Sequence, residues 1–131
     1  MKAILDTSVL LGPRFEAAGD EFAISTVTLA ELHFGVLVAA DDRARAHRLR
    51  RLTQVSRLFD ALPVDDAVAE AYGRLAARVK QSGRQPRARA LDLLIAATAT
   101  THQARLYTRN VDDFGGLEDE LEVLVPTIAD A

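Results

Sequence analysis

The chain opens on a short apolar run, Lys2 to Leu5, that stops at Asp6. This is the pattern of a strand buried on both faces whose C-terminal end carries a carboxylate. A second run, Phe22 to Ser25, leads into a helix of about Val27 to Ala40, with Leu29, Leu32, Val36 and Leu37 at helical spacing and Phe34 and Val38 on another side. A helix apolar over so much of its circumference is either deeply buried or part of an interface. Asp41 or Asp42 can cap the next helix, whose apolar stripe is Leu49, Leu52, Val55 and Phe59 and which ends before Pro63. Asp65 or Asp66 caps the clearest amphipathic helix, with Val68, Ala71, Tyr72, Leu75 and Val79 on one face. Ser82 to Ala90, with Gly83, Pro86 and three arginines, breaks the pattern and predicts a mobile basic loop. Beyond it lie an Ala-rich helix from Leu91 to Thr101, a strand from Arg105 to Thr108, a turn from Asn110 to Gly116 and a last strand from Glu122 to Val125. Short strands alternating with helices predict an α/β fold with a central parallel sheet covered on both faces.

Composition narrows the class. A chain of 131 residues, nearly half apolar and without low-complexity tracts, suits a single ordered domain over 1–131. The absence of cysteine excludes disulfides, thiol nucleophiles and thiolate zinc sites, so any metal must be held by oxygen or histidine. No stretch approaches the ~20 apolar residues that span a bilayer, which makes a soluble cytoplasmic protein the expectation. The formal charge of -3 hides an asymmetry. From Arg43 to Arg109 there are 14 basic and 5 acidic residues, whereas the flanking segments hold 2 basic and 14 acidic ones. The middle suits a polyanion and the ends suit a cation, although a run such as Arg43, Arg45, Arg48, Arg50 and Arg51 is equally suited to a solvated helix face.

In open parallel sheets the functional crevice lies beyond the C-terminal ends of the strands. Asp6 and Asp113 fall just after predicted strands, and Glu31 and Asp92 in the first turns of predicted helices, so all four can point at one crevice. Four gathered carboxylates raise one another's pKa values unless a cation neutralises them. All-oxygen ligation suits Mg²⁺, or Mn²⁺ as a substitute. Each acid also has an ordinary structural explanation. Asp6 could cap a helix beginning near Thr7, Thr28 and Glu31 could form a capping box, Asp92 suits a helix N-terminus on dipole grounds, and Asp113, like Asp112, suits a turn. Spacing alone leaves these alternatives open.

Four motifs tip the balance. Ile4-Leu5-Asp6-Thr7-Ser8-Val9, Ser25-Thr26-Val27-Thr28-Leu29-Ala30-Glu31-Leu32 with Gly35, Leu91-Asp92-Leu93-Leu94-Ile95-Ala96-Ala97-Thr98-Ala99, and Leu106-Tyr107-Thr108-Arg109-Asn110-Val111-Asp112-Asp113-Phe114 stand in order along the chain. In this they resemble the PIN-domain family, in particular its VapC-type toxins, and the likeness runs over essentially the whole length. The resemblance implies a PIN-like three-layer α/β/α sandwich and hydrolysis of RNA phosphodiesters. It implies Asp6, Glu31, Asp92 and Asp113 as the catalytic acids, with Asp6, Asp92 and Asp113 holding Mg²⁺, and Asp113 rather than Asp112 as the fourth. Glu31 would act through water or accept a proton from the nucleophile. Ser8, Thr26, Thr108 and Asn110 match polar positions that orient carboxylates or metal-bound water. Arg84, Arg87, Arg89 and Arg109 are the expected contacts to the RNA backbone. A homodimer and a VapB-type antitoxin whose tail enters the pocket follow from the same likeness.

Competing readings fare less well. An aspartyl-phosphate phosphatase would need a second aspartate two residues after Asp6, where this chain has Ser8. His33, His47 and His102 show no zinc spacing and are read as structural or surface residues. A catalytically silent module that binds RNA or protein is the alternative, and the full set of acids argues against it.

Overall fold

The computed structural model describes residues 1–16 and 19–129. The last two positions of the domain expected over 1–131 thus lie outside the described residues. The elements run β1 (Lys2–Leu5), α1 (Thr7–Leu11), β2 (Glu21–Ser25), α2 (Thr26–Leu37), α3 (Asp42–Leu58), β3 (Asp60–Leu62), α4 (Asp66–Gln81), α5 (Ala90–Thr101), β4 (Arg105–Tyr107) and β5 (Val123–Leu124). Single 3₁₀ turns occupy Pro86–Arg89 and Val111–Phe114. The strands form one five-stranded, wholly parallel sheet in the order β3-β2-β1-β4-β5.

Alternation along the central strands sorts the core into two layers. Ile4 and Leu106 face α4 and α5, packing among Val68, Leu75, Val79, Ile95 and Ala96. Ala3, Leu5 and Tyr107 face the other way, against Val9 of α1, Leu32 and Val36 of α2, and Leu52 and Val55 of α3. The result is the three-layer sandwich expected from the sequence. At 25 cal/mol per Å², each buried Leu or Ile side chain contributes about 1.5–3 kcal/mol.

Helix starts follow their caps. Asp41 accepts from Ala44 N at 2.7 Å and Asp65 from Val68 N at 3.0 Å, so the first of each aspartate pair caps α3 and α4. Ser25 caps α2 by accepting from Val27 N at 3.0 Å, which starts that helix at Thr26 and puts Glu31 in its second turn rather than its first.

Three expectations are corrected. The strand β3 was not anticipated, because a three-residue edge strand between a helix end and Pro63 carries too short a pattern. Leu49 lies on the solvent side of α3, half exposed, while Leu52 and Val55 carry the contact. The arginine-rich stretch is not an open loop. Pro86 starts a 3₁₀ turn, and Arg84 donates to the carbonyl of Asp112 at 2.9 Å, tying the segment to the turn after β4. No helix among the described residues is long and apolar enough to cross a membrane.

Candidate active site

The order of the strands decides where a site can form. The chain moves from β1 outward through β2 to β3, then crosses back to β4 and β5, so the direction of winding reverses between β1 and β4. At such a switch point the loops leaving neighbouring strands part, and a crevice opens beyond their carboxyl ends. Asp6 and Thr108 are the first residues past β1 and β4, whose ends are in register at Leu5 and Tyr107.

Asp6 occupies the N-cap position of α1, yet its side chain caps nothing. It is buried, and its Oδ2 instead accepts from Ser8 Oγ at 2.7 Å and from Thr108 Oγ1 at 2.8 Å. Each of these hydroxyls in turn accepts a backbone N–H, Ser8 from Arg109 and Thr108 from Asn110, both at 3.0 Å. Two backbone dipoles are thereby relayed onto one carboxylate oxygen. A carboxylate held by this many donors is fixed in orientation.

Glu31 is not part of a capping box. Its Oε1 accepts from Thr7 Oγ1 at 2.7 Å, and Thr7 Oγ1 lies 3.0 Å from the buried Thr28 Oγ1. Thr7 and Thr28 are the residues that sequence reasoning missed, and the signal was the second hydroxyl position inside the motif after Asp6. Thr26 sits at the first position of α2 and makes no hydrogen bond to any of the four acids among the described residues. Asn110 is exposed and meets the network through its backbone N–H.

Asp92 enters from the first turn of α5 and Asp113 from the 3₁₀ turn after β4. Their convergence with the other acids is electrostatic as well as topological. Burial, and then the charges of Asp6, Asp113 and Glu31, push the Asp92 carboxyl from its ordinary 3.8 up to about 6, opposed only by Arg89. Asp113 pairs with Arg89 Nη1 at 2.9 Å, while the exposed Asp112 offers only its carbonyl, to Arg84 and Arg89. This separates the adjacent pair: Asp113 belongs to the acid group and Asp112 to the turn. The three histidines stand apart on α2, on α3 and at the C-cap of α5.

Burial first, and then three neighbouring carboxylates, raise the Asp92 carboxyl, and positive charge brought among them would lower it again. The donor set is all oxygen, hard and net negative, which fits a divalent ion of the Mg²⁺ class. As the side chains stand, no three His, Asp or Glu residues among the described residues are close enough together to hold a metal ion between them. Such an ion keeps several waters, so an open carboxylate crevice meets its needs.

The arginines divide by partner. Arg84 and Arg89 are engaged as above. Arg109, half buried, lies over Gly12 and donates from Nη2 to the carbonyl of Pro13 at 2.9 Å, clamping the segment after α1 rather than presenting its charge to solvent. Arg87 is exposed and has no ion-pair partner among the described residues. From Thr7 and Glu31 a cleft of about 660 Å³ opens between α1, α2, α3 and α5, walled by Leu11, Phe34 and Leu91 and bounded by Arg48 and Arg51. Phe34 is 66% exposed and Leu37 76%, which favours the interface alternative for the broadly apolar α2.

Residues 3–115 match the family model of the PIN domain. The chain belongs to the PIN-domain family. Among curated PIN-domain relatives it is 40% identical to Ribonuclease VapC5 of Mycobacterium tuberculosis, over 92% of this chain and 90% of that one. It is 36% identical to Ribonuclease VapC4 of the same organism, over 90% and 92%. Among solved structures it resembles VapBC-5 of Mycobacterium tuberculosis, described as a member of the VapBC family of toxin-antitoxin systems, with a TM-score of 0.83 and 38% identity over 95% of this chain and 98% of that one. The FitAcB structure from Neisseria gonorrhoeae follows with a TM-score of 0.75 and 28% identity over 93% and 96%. The PIN fold is thus shared along nearly the full chain.

Proposed function

We infer that this PIN-domain protein is an endoribonuclease of the VapC type, the toxin of a toxin-antitoxin pair, acting in the cytoplasm. The reading is supported by the electrostatic coupling of Asp92 to Asp6, Asp113 and Glu31 and by the fixing of Asp6 by Ser8 and Thr108 at the sheet's switch point. The relatives named as VapC ribonucleases supply the substrate class.

Asp6, Asp92 and Asp113 are assigned to hold the metal, Mg²⁺ in the first instance with Mn²⁺ as a substitute. Bound there, a divalent ion neutralises phosphate charge and acidifies a water for in-line attack. Ser8 and Thr108 keep Asp6 aimed at the crevice, and Thr7 does the same for Glu31. Glu31, its Oε1 fixed by Thr7, is placed to accept the proton of the attacking water. Arg87, free of intramolecular ion pairs, is the arginine best placed to hold the RNA backbone, since a phosphate gains most from a charge that need not first leave a partner.

The apolar cleft beginning at Glu31 is the surface assigned to the antitoxin. The similar solved structures include toxin-antitoxin complexes, and an amphipathic segment lying along Leu11, Phe34 and Leu91 would end at the acids. A homodimer is proposed on the resemblance alone.

The test incubates purified protein with mixed RNA in Mg²⁺, in Mn²⁺ and in chelator, alongside Asp6→Asn and Asp92→Asn. Cleavage should require the metal and be lost in both variants. A variant that cuts as well as the unmodified chain removes that residue from the mechanism, and a metal-loaded protein that cuts no RNA supports a silent binding module.

A further inference from the structure

The third arginine of the 84–89 segment does not face outward like Arg87. Arg89 points into the acid group, with Nη1 at 2.9 Å from Asp113 Oδ1 and 3.4 Å from the carbonyl of Asp112, and its side chain is 29% exposed. The backbone on which it stands is anchored, because Arg84 is bonded to the same Asp112 carbonyl. Arg89 also lines a second cleft of about 270 Å³, shared with Glu31, Asp92 and Arg87. The guanidinium thus pairs with the fourth carboxylate and belongs to a residue that borders the cleft lined by Glu31 and Asp92.

We propose that Arg89 is a built-in counter-ion of Asp113 that competes with a divalent cation for that carboxylate. The inference rests on the metal-nuclease reading and adds a competition to it. With one Asp113 oxygen engaged by a guanidinium at 2.9 Å, an ion approaching this carboxylate meets a positive charge already beside it. Two positive groups that seek one carboxylate oppose each other's binding by the same factor, whichever is considered first. Arg89 therefore weakens metal affinity, and its positive charge offsets part of the repulsion among the carboxylates. Once released, it stands beside Arg87 over Glu31 and Asp92, where its fork suits a phosphate. The segment would exchange a carboxylate for substrate as the ion enters.

The experiment measures Mn²⁺ binding to the full chain, stripped by chelator and free of RNA, by isothermal titration calorimetry and electron paramagnetic resonance. Arg89→Gln should tighten Mn²⁺ binding about three- to tenfold, the range set by a half-exposed ion pair. Arg87→Gln removes the same charge two residues away without the Asp113 contact and should change it less than about twofold. With Asp113→Asn in place, adding Arg89→Gln should change the affinity less than it does in the unmodified chain, the difference measuring the pair itself. Equal tightening by Arg89→Gln and Arg87→Gln, or none by either, overturns the competition while leaving the metal site standing. Failure of every protein to bind Mn²⁺ overturns the metal-nuclease reading and the competition with it.

Discussion

Thr108 Oγ1 donates a 2.8 Å hydrogen bond to Asp6 Oδ2, joining the ends of two adjacent parallel strands across 102 positions of sequence. The bond is buried and relays the N–H of Asn110 onto the carboxylate. Thr108→Val keeps the shape and removes the hydroxyl. It should lower stability by about 1–2 kcal/mol and metal-dependent cleavage by about 10- to 100-fold, the usual cost of losing a residue that orients a metal ligand. Thr108→Ser should recover most of the activity, and single-turnover cleavage with urea unfolding measures both.

Asp92 makes the metal-free protein less stable at neutral pH. Its folded pKa of about 6 lies above the ordinary 3.8, so the folded state binds more protons than the unfolded one between these values, and stability falls as pH rises through that window. After allowing for the half-exposed position, Asp92→Asn should stabilise the metal-free chain by about 1–2 kcal/mol at pH 7. The gain should shrink toward nothing as the pH falls to 4. Added Mg²⁺ should raise the melting temperature of the unmodified chain and leave that of the variant nearly unchanged. Thermal unfolding at several pH values, in chelator and in Mg²⁺, reads all three.

At the opposite end of the sheet the sign reverses. Asp20, its side chain 3% exposed, accepts from Arg105 Nη2 and from the Tyr107 hydroxyl, both at 2.9 Å, and the Arg105 bond holds its carboxyl below the usual range. A depressed folded pKa contributes stability that is present above the ordinary carboxylate pKa and is lost as pH falls through the folded value. Asp20→Asn should therefore lower the melting temperature at pH 7 and flatten its dependence on acid below pH 4. A variant as stable as the parent at pH 7 would show that this network is decorative.

Arg87 and Arg84 should separate RNA affinity from structure. Arg87→Gln should leave the melting temperature alone and lower the salt dependence of RNA binding by about one phosphate contact, measured on metal-free protein so that no cleavage intervenes. Arg84→Gln loses the bond to the Asp112 carbonyl and should act mainly on stability.

Phe34 lies on the cleft wall, largely in water, so Phe34→Ser should alter stability by no more than about 0.5 kcal/mol. Cleavage of RNA should persist while co-purification with an antitoxin encoded beside it is lost. Retention of the complex would move the docking surface elsewhere.

The sheet and its two helical layers were readable because the buried strands and α4 repeat their apolar residues at a single period. The acids were readable as a set through motif order, and with them Ser8 and Thr108, which bond Asp6, whereas other partners were not. Thr7 and Arg89 gain their roles from contacts across 24 residues each, to Glu31 and to Asp113. No local pattern announces such a pairing. The bond of Arg109 to the Pro13 carbonyl was likewise unreadable, since it depends on the approach of Gly12 and Pro13 from the other end of the sequence. The edge strand β3 escaped because three residues hold too little periodicity to stand out beside a helix end.

Helix α2 carries Glu31 at the mouth of the crevice and Phe34 one turn along the same cleft, over the buried Leu32 and Val36. Within twelve residues the chain has thus placed both its proposed proton acceptor and its proposed point of restraint. A lineage that drifts to evade one inhibitor must alter the scaffold of its own chemistry, so changes of allegiance should come through the rim at Leu11 and Leu91 before they reach the helix centre.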